Sequence, residues 1–121
     1  MKAIGTAVVL ALVLSLALKA ASPQGKGESQ LRTVHGSVID HSENPVSSSI
    51  VYLKNLRSQA VKTYIADDSG HYRFSGLDPN VDYEVHAEKG DLTSSNRTVS
   101  SFDSRKDIEV ILKLDKKKTS H

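Results

Sequence analysis

The chain has no cysteine, one methionine, three prolines and only two phenylalanines in 121 residues. Without cysteine there is no disulfide, no thiolate nucleophile and no thiolate-bound metal, so an exported domain cut from this chain must be held by its core alone. Aromatic residues are 5% of the total, which makes that core one of small side chains and sets an expectation of modest stability. Beyond residue 25 no segment carries a 3.6-residue apolar stripe, so helices are not expected. Charge of one sign is missing too. The 16 Lys+Arg face 14 Asp+Glu, and two of the bases, Lys2 and Lys19, sit in the N-terminal segment, where there is no acid. The remainder is balanced, and a nucleic-acid partner, which needs a basic surface, is not indicated.

The one long apolar run is at the start. Lys2, then "AIGTAVVLALVLSLAL" from Ala3 to Leu18, then small residues in "KAASPQGKG", have the plan of a secretory signal peptide. The alternative is a membrane anchor. About 16 residues at roughly 1.5 Å each fall short of the roughly 30 Å hydrocarbon core, which favours the signal. Ala17 and Ala20 both suit the residue before a cleavage point. The expected organisation is a signal peptide over 1–21, a flexible leader over 22–30, one domain over 31–115 and a basic tail over 116–121, solvated and mobile. Location would then be periplasmic or extracellular, with no stable membrane insertion after cleavage.

From Leu31 the chain is a series of short alternating runs separated by turn residues. "LRTVHGSVID" sets Val34, Gly36 and Val38 against Thr33, His35 and Ser37. "SIVYLKN" and "AVKTYIA" follow, with Tyr52 opposite Val51 and Leu53. "HYRFS" turns Tyr72 and Phe74 inward, and "YEVHAEK" does so with Tyr83, Val85 and Ala87. "LTSSNRTV" reads as a polar edge strand, and "IEVILKLD" places Ile108, Val110, Leu112 and Leu114 on one stripe. The expectation is all-β: a single seven-stranded antiparallel β-sandwich.

Gly36, Val38 and Asp40, then Pro45 and Val46, Val51 and Leu53, lead into "DDSGHYRFSGLDPNVDYEVHAEKGD". With Gly70, Tyr72, Phe74, Leu77, Pro79, Tyr83, Val85, Ala87 and Gly90 in this order, residues 32 to 114 resemble the carboxypeptidase regulatory-like domain. Asn80 stands where that family usually has glycine, and asparagine tolerates the same left-handed conformation. The resemblance implies a transthyretin-like (prealbumin-like) sandwich, common in exported bacterial proteins. It implies a non-catalytic companion of peptidases, transporters and adhesins, grouped with starch-binding-like folds, whose partner is a carbohydrate or an envelope protein.

The residues themselves argue against chemistry. The five histidines fall in no HExxH or HxxE spacing, so a catalytic zinc site is not encoded. An accessory or weak metal-dependent hydrolase is the disfavoured alternative. Asp67 and Asp68 could donate oxygens to calcium, but an EF-hand starting at Asp67 needs glycine where Tyr72 stands. Asp, Ser and Gly70 in "DDSG" otherwise make a tight turn. No cofactor is expected. A serine nucleophile lacks its GxSxG elbow, and "NRT" at Asn96–Thr98 fits a glycosylation sequon. Tyr52 and Tyr64, opposite the apolar stripes of their strands, are the candidates for a carbohydrate- or partner-binding surface, since a tyrosine ring can stack on a sugar face. Cross-strand pairing within the sheet is the commoner reason for tyrosine at such positions.

Overall fold

The computed structural model describes residues 31–118. The expected signal peptide, the leader and residues 119–121 of the tail lie outside them. Ten strand segments follow one another: β1 (Arg32–Ile39), β2 (Ile50–Asn55), β3 (Val61–Ile65), β4 (His71–Leu77), β5 (Tyr83–Lys89), β6 (Leu92–Thr93), β7 (Arg97–Val99), β8 (Asp107–Glu109), β9 (Leu112–Lys113) and β10 (Lys116–Lys117). They form two sheets. The smaller runs β4–β1–β8, with β9 continuing along β1; the larger runs β10–β6–β5–β2–β3, with β7 continuing along β5.

Ten segments replace the seven expected strands because two predicted strands are broken. "LTSSNRTV" is interrupted at Ser94–Asn96, where the Ser94 hydroxyl takes the place of a ladder group. It accepts the Ala87 N–H at 2.9 Å while the Ser94 N–H donates to the Ala87 carbonyl. "IEVILKLD" is interrupted at Val110–Ile111. The tenth segment corrects the reading of the basic tail. Lys116 and Lys117 pair with Thr93 and Leu92, so this part of the tail is an edge strand rather than solvated chain.

The sandwich is also not wholly antiparallel. β8 and β9 run parallel to β1, with Val34 beside Ile108 and Val38 beside Leu112. The direction follows from the connection. β7 ends opposite Tyr83, the first residue of β5, and the chain then crosses to the other sheet through residues 100–106. It arrives where β1 also begins, with the Thr33 N–H donating to the Lys106 carbonyl. A strand entering at the start of β1 can only run alongside it.

Between the sheets lie Val34, Val38, Val51, Leu53, Tyr72, Phe74, Leu77, Tyr83, Val85, Ala87, Val99, Ile108, Val110, Leu112 and Leu114, joined by Ala66 and Val81. The alternation read from the sequence holds in β1, β2, β4 and β5. It is inverted in β3. Val51 and Leu53 are buried and stand opposite Tyr64 and Lys62; directly opposed residues share a face. Tyr64 therefore lies on the core side, edge-on to Phe74 with ring centroids 6.0 Å apart. Val61, Thr63 and Ile65 face outward.

One close approach fixes β1 against the segment that joins β8 to β9. A Cβ on Gly36 would stand 1.9 Å from the Val110 carbonyl oxygen, and that oxygen accepts the buried Tyr72 hydroxyl at 2.7 Å. Gly36→Ala is expected to cost more than about 3 kcal/mol, since backbone rather than a flexible side chain must move. Gly76→Ala meets nothing within 4 Å but sits at φ 69°, and should cost only about 1–2 kcal/mol. Denaturant melts of the two variants check this order.

Arg32 adds an unexpected member to the buried stripe of β1. It is 3% exposed, and its Nε, Nη1 and Nη2 have no hydrogen-bond partner among the protein atoms. Asp82 and Asp103 are held below their ordinary range chiefly by hydrogen bonds from Ser101 and Arg105 respectively, with the Arg32 charge the smallest contributor. Compensation of Arg32 is therefore weak and at a distance. Removing a buried charge with no direct partner relieves its desolvation. Arg32→Met is therefore expected to be neutral or to stabilise by up to about 4 kcal/mol. A loss of several kcal/mol in a urea melt would show that Asp82 and Asp103 more than offset the burial.

Candidate functional site

The "DDSG" stretch is a turn, built by its own side chains. Asp67 Oδ1 accepts the N–H groups of Ser69 and His71, each at 2.9 Å. The Gly70 N–H donates to the Asp67 carbonyl, and Gly70 takes φ 79°. The turn is pressed onto β1, where the Val38 N–H donates to the Gly70 carbonyl at 2.8 Å. The His71 N–H, chiefly, holds the Asp67 carboxyl below its ordinary value. One Asp67 oxygen is thus already committed to the backbone, and Asp68 stands exposed at the tip. Among the described residues no three His, Cys, Asp or Glu side chains converge as a metal ion would need.

Tyr52 and Tyr64 do not form one platform. They sit on opposite faces of the larger sheet, and this corrects the idea of a joint binding surface. Tyr52 is on the outer face, where its ring lies flat on His86 with centroids 4.8 Å apart and planes 9° from parallel. That contact occupies one face of the ring. His86 Nε2 in turn meets Glu88 Oε2 at 3.0 Å, and Lys118 Nζ meets Glu88 Oε1 at 3.2 Å. The sequence hinted at the His86–Glu88 contact, because residues two apart in a strand share a face. It gave no sign of Tyr52 beside His86, which depends on the β2–β5 register.

Tyr64 instead joins the turn. A cleft of about 470 Å³ is bordered by Tyr64, Asp67, His71, Arg73, His35 and Glu109. The last four come from neighbouring strands of the smaller sheet: His35 is opposite Arg73 in β4 and beside Glu109 in β8. His35 is also tied to Asp107, Nε2 to Oδ1 at 3.0 Å. The cleft thus combines one half-exposed aromatic ring with acceptors and donors of both charges. It suits an uncharged polar ligand better than an ion of either sign. Sequence reasoning named Tyr64 and Asp67 separately. The two are three residues apart; what brings them to His35, Arg73 and Glu109 is the contact of β3 with β4, which no local pattern encodes.

The carboxypeptidase regulatory-like domain profile matches residues 33–113. The chain belongs to that family, and its described residues form a β-sandwich. No curated protein matches it in sequence. Among solved structures it resembles a variant of BcpA, the major pilin subunit of Bacillus cereus, at TM-score 0.56 and 13% identity, over 70% of this chain and 30% of that one. It resembles 3-chlorocatechol 1,2-dioxygenase of Rhodococcus opacus 1CP at 0.55 and 8%, over 72% and 60%. The dioxygenase domain of a dioxygenase carbohydrate-binding protein fusion from Streptomyces sp. SirexAA-E follows at 0.52 and 14%, over 70% and 79%. The chain spans under a third of the pilin subunit and about three fifths of the chlorocatechol enzyme. Identities this low establish the sandwich and nothing about activity.

The outer-face chain of contacts makes a pH prediction. The His86 hydrogen bond, chiefly, and then Lys118 hold the Glu88 carboxyl below its ordinary 4.5. A folded-state value below the unfolded one gives stability that is present above 4.5 and is lost as pH falls through the folded value. Glu88→Gln should therefore be less stable than the parent at neutral pH. The two thermal-melt curves should converge in strong acid.

Proposed function

We propose that this protein is an exported structural or binding module of the prealbumin-like type, periplasmic or extracellular, that engages an envelope protein or a carbohydrate without altering it. The observation that carries this reading is the extent of the family domain, which fills 33–113, nearly all of the described residues. The apolar N-terminal run supports export, and the balanced charge beyond it agrees with a partner that is not a polyanion.

A second reading is specific to the cleft beside the Asp67–His71 turn: a sugar lies against Tyr64 and is hydrogen-bonded by Arg73, Glu109 and the two histidines. An amphipathic ring flanked by mixed donors and acceptors suits a pyranose. Tyr52 plays no part in it, because it stands on the opposite face of the sheet from Tyr64.

Affinity capture from the native envelope, run beside a glycan array, tests the two. A specific protein partner supports the first reading, and retention on one glycan class the second. Tyr64→Ala and Arg73→Ala should each abolish glycan retention while leaving the melt within a few degrees of the parent, and Tyr52→Ala should leave retention unchanged. Retention that needs Tyr52 and ignores Tyr64 would overturn the assignment to the cleft.

A further inference from the structure

We propose that β3 is a self-association edge, across which a second copy of this chain adds its own β3 antiparallel and makes one continuous sheet.

β3 ends the larger sheet and has a strand on one side only. All five of its residues are exposed, including Val61 at 54% and Ile65 at 59%. A solvent-facing edge strand with β-branched residues at every second position is a template for another strand. Neither a proline nor a bulge breaks its pairing with β2.

The direction of the free main-chain groups follows from the hairpin. The Asn55 N–H donates to the Ala60 carbonyl at 2.8 Å at one end, and the Ala66 N–H to the Ser49 carbonyl at 2.9 Å at the other. Antiparallel ladders alternate, so Lys62 and Tyr64 turn their N–H and C=O groups toward β2. Those of Val61, Thr63 and Ile65 point away from the sheet. This set is centred on Thr63, as a two-fold axis requires.

Placing the axis at Thr63 pairs Thr63 with Thr63 of the second copy, Val61 with Ile65, and Lys62 with Tyr64. Each pairing is favourable. The Thr63 and Val61–Ile65 pairs are of the hydrogen-bonded kind, giving about six main-chain bonds. The two β-branched side chains meet on the outer face, next to Ile50, which stands opposite Ile65 in β2. On the other face the Lys62–Tyr64 pairs are of the closer, non-hydrogen-bonded kind, which brings the ammonium to the tyrosine ring. Lysine is the residue that ordinarily blunts a strand edge, and in this register it has a partner. Shifting the register by one residue would set Val61 against Tyr64 and Lys62 against Thr63, losing the match. A five-residue edge lies below the roughly 800 Å² per partner of a standard interface, so assembly is expected only at micromolar concentrations and above.

Sedimentation of the purified protein over a concentration series tests this without any ligand, so its outcome is independent of the function proposed above. The mass should rise toward twice the monomer. Val61→Lys and Ile65→Lys should raise the dissociation constant at least about tenfold, the effect of losing 1.4 kcal/mol of association, with unchanged melts. Thr63→Cys, the only cysteine in its chain, should form a disulfide dimer under mild oxidation, because the axis leaves the two Cα atoms about 5.5 Å apart. Thr98→Cys, exposed on β7, should not. If the lysine variants fail to fold, the cysteine pair decides. A parent that stays monomeric at the highest concentration, a dimer indifferent to both lysines, or equal crosslinking at 63 and 98 overturns the proposal. A β3 edge occupied by a strand of some other protein overturns it as well.

Discussion

The contact between Gly36 and the Val110 carbonyl is the constraint on which the rest of the sandwich depends. It brings β1 and the junction of β8 and β9 within van der Waals reach, and only glycine leaves room for it. The same oxygen receives the Tyr72 hydroxyl, so β1, β4 and the end of the chain meet at one atom. Burial pushes the Tyr72 hydroxyl well above its ordinary value, which favours the protonated form that donates this hydrogen bond. The break between β8 and β9 falls at this same point. Val110 leaves the ladder there, while its N–H still donates to the His35 carbonyl at 2.8 Å. The interruption is therefore the geometry of a close crossing.

The two outer faces have different characters. The face of the smaller sheet is polar, with His35, Arg73 and Glu109 in one row and His71 beyond them. The face of the larger sheet carries Ile50, Tyr52, Val61 and Ile65 toward one edge and the Glu88–His86–Lys118 cluster toward the other. The turn at Asp67 lies where these regions come nearest, and Tyr64 spans the gap. The polar cleft and the weakly apolar edge share Tyr64, so an occupant of one is felt at the other.

Much of the fold was legible because β1, β2, β4 and β5 alternate strictly. β1, β2 and β5 have neighbours on both sides and β4, though at an edge, turns Tyr72 and Phe74 into the core; each inward residue named from the sequence in these strands is buried. The turn at Asp67–Gly70 was legible for a different reason: its hydrogen bonds are local, so residue type and spacing specify them. Where the sequence misled, the deciding force was not local. In β3 the residues Val61, Thr63 and Ile65 look like an inward stripe, yet pairing with β2 turns them out; an edge strand with little to bury does not specify its face by pattern. Arg32 was placed in the first strand from the sequence, with no face assigned to it. It is drawn in because Leu77 lies across from it and the crossing segment 100–106 closes over the end of β1. The parallel entry of the last strand was invisible for the same reason, since it is set by where a connection lands.

That parallel entry also has a consequence in time. β1 is the first strand to be synthesised and its partners β8 and β9 are among the last, so the smaller sheet cannot close until residues 107–113 have emerged. Pairing between the two ends of a chain is slow to form, because the loop must be closed before the contact repays it. A ribosome or a membrane channel that releases the chain from its N-terminus would hold it open until nearly all of it had passed. For a domain read as crossing a membrane before it folds, the position of its last strand acts as a delay.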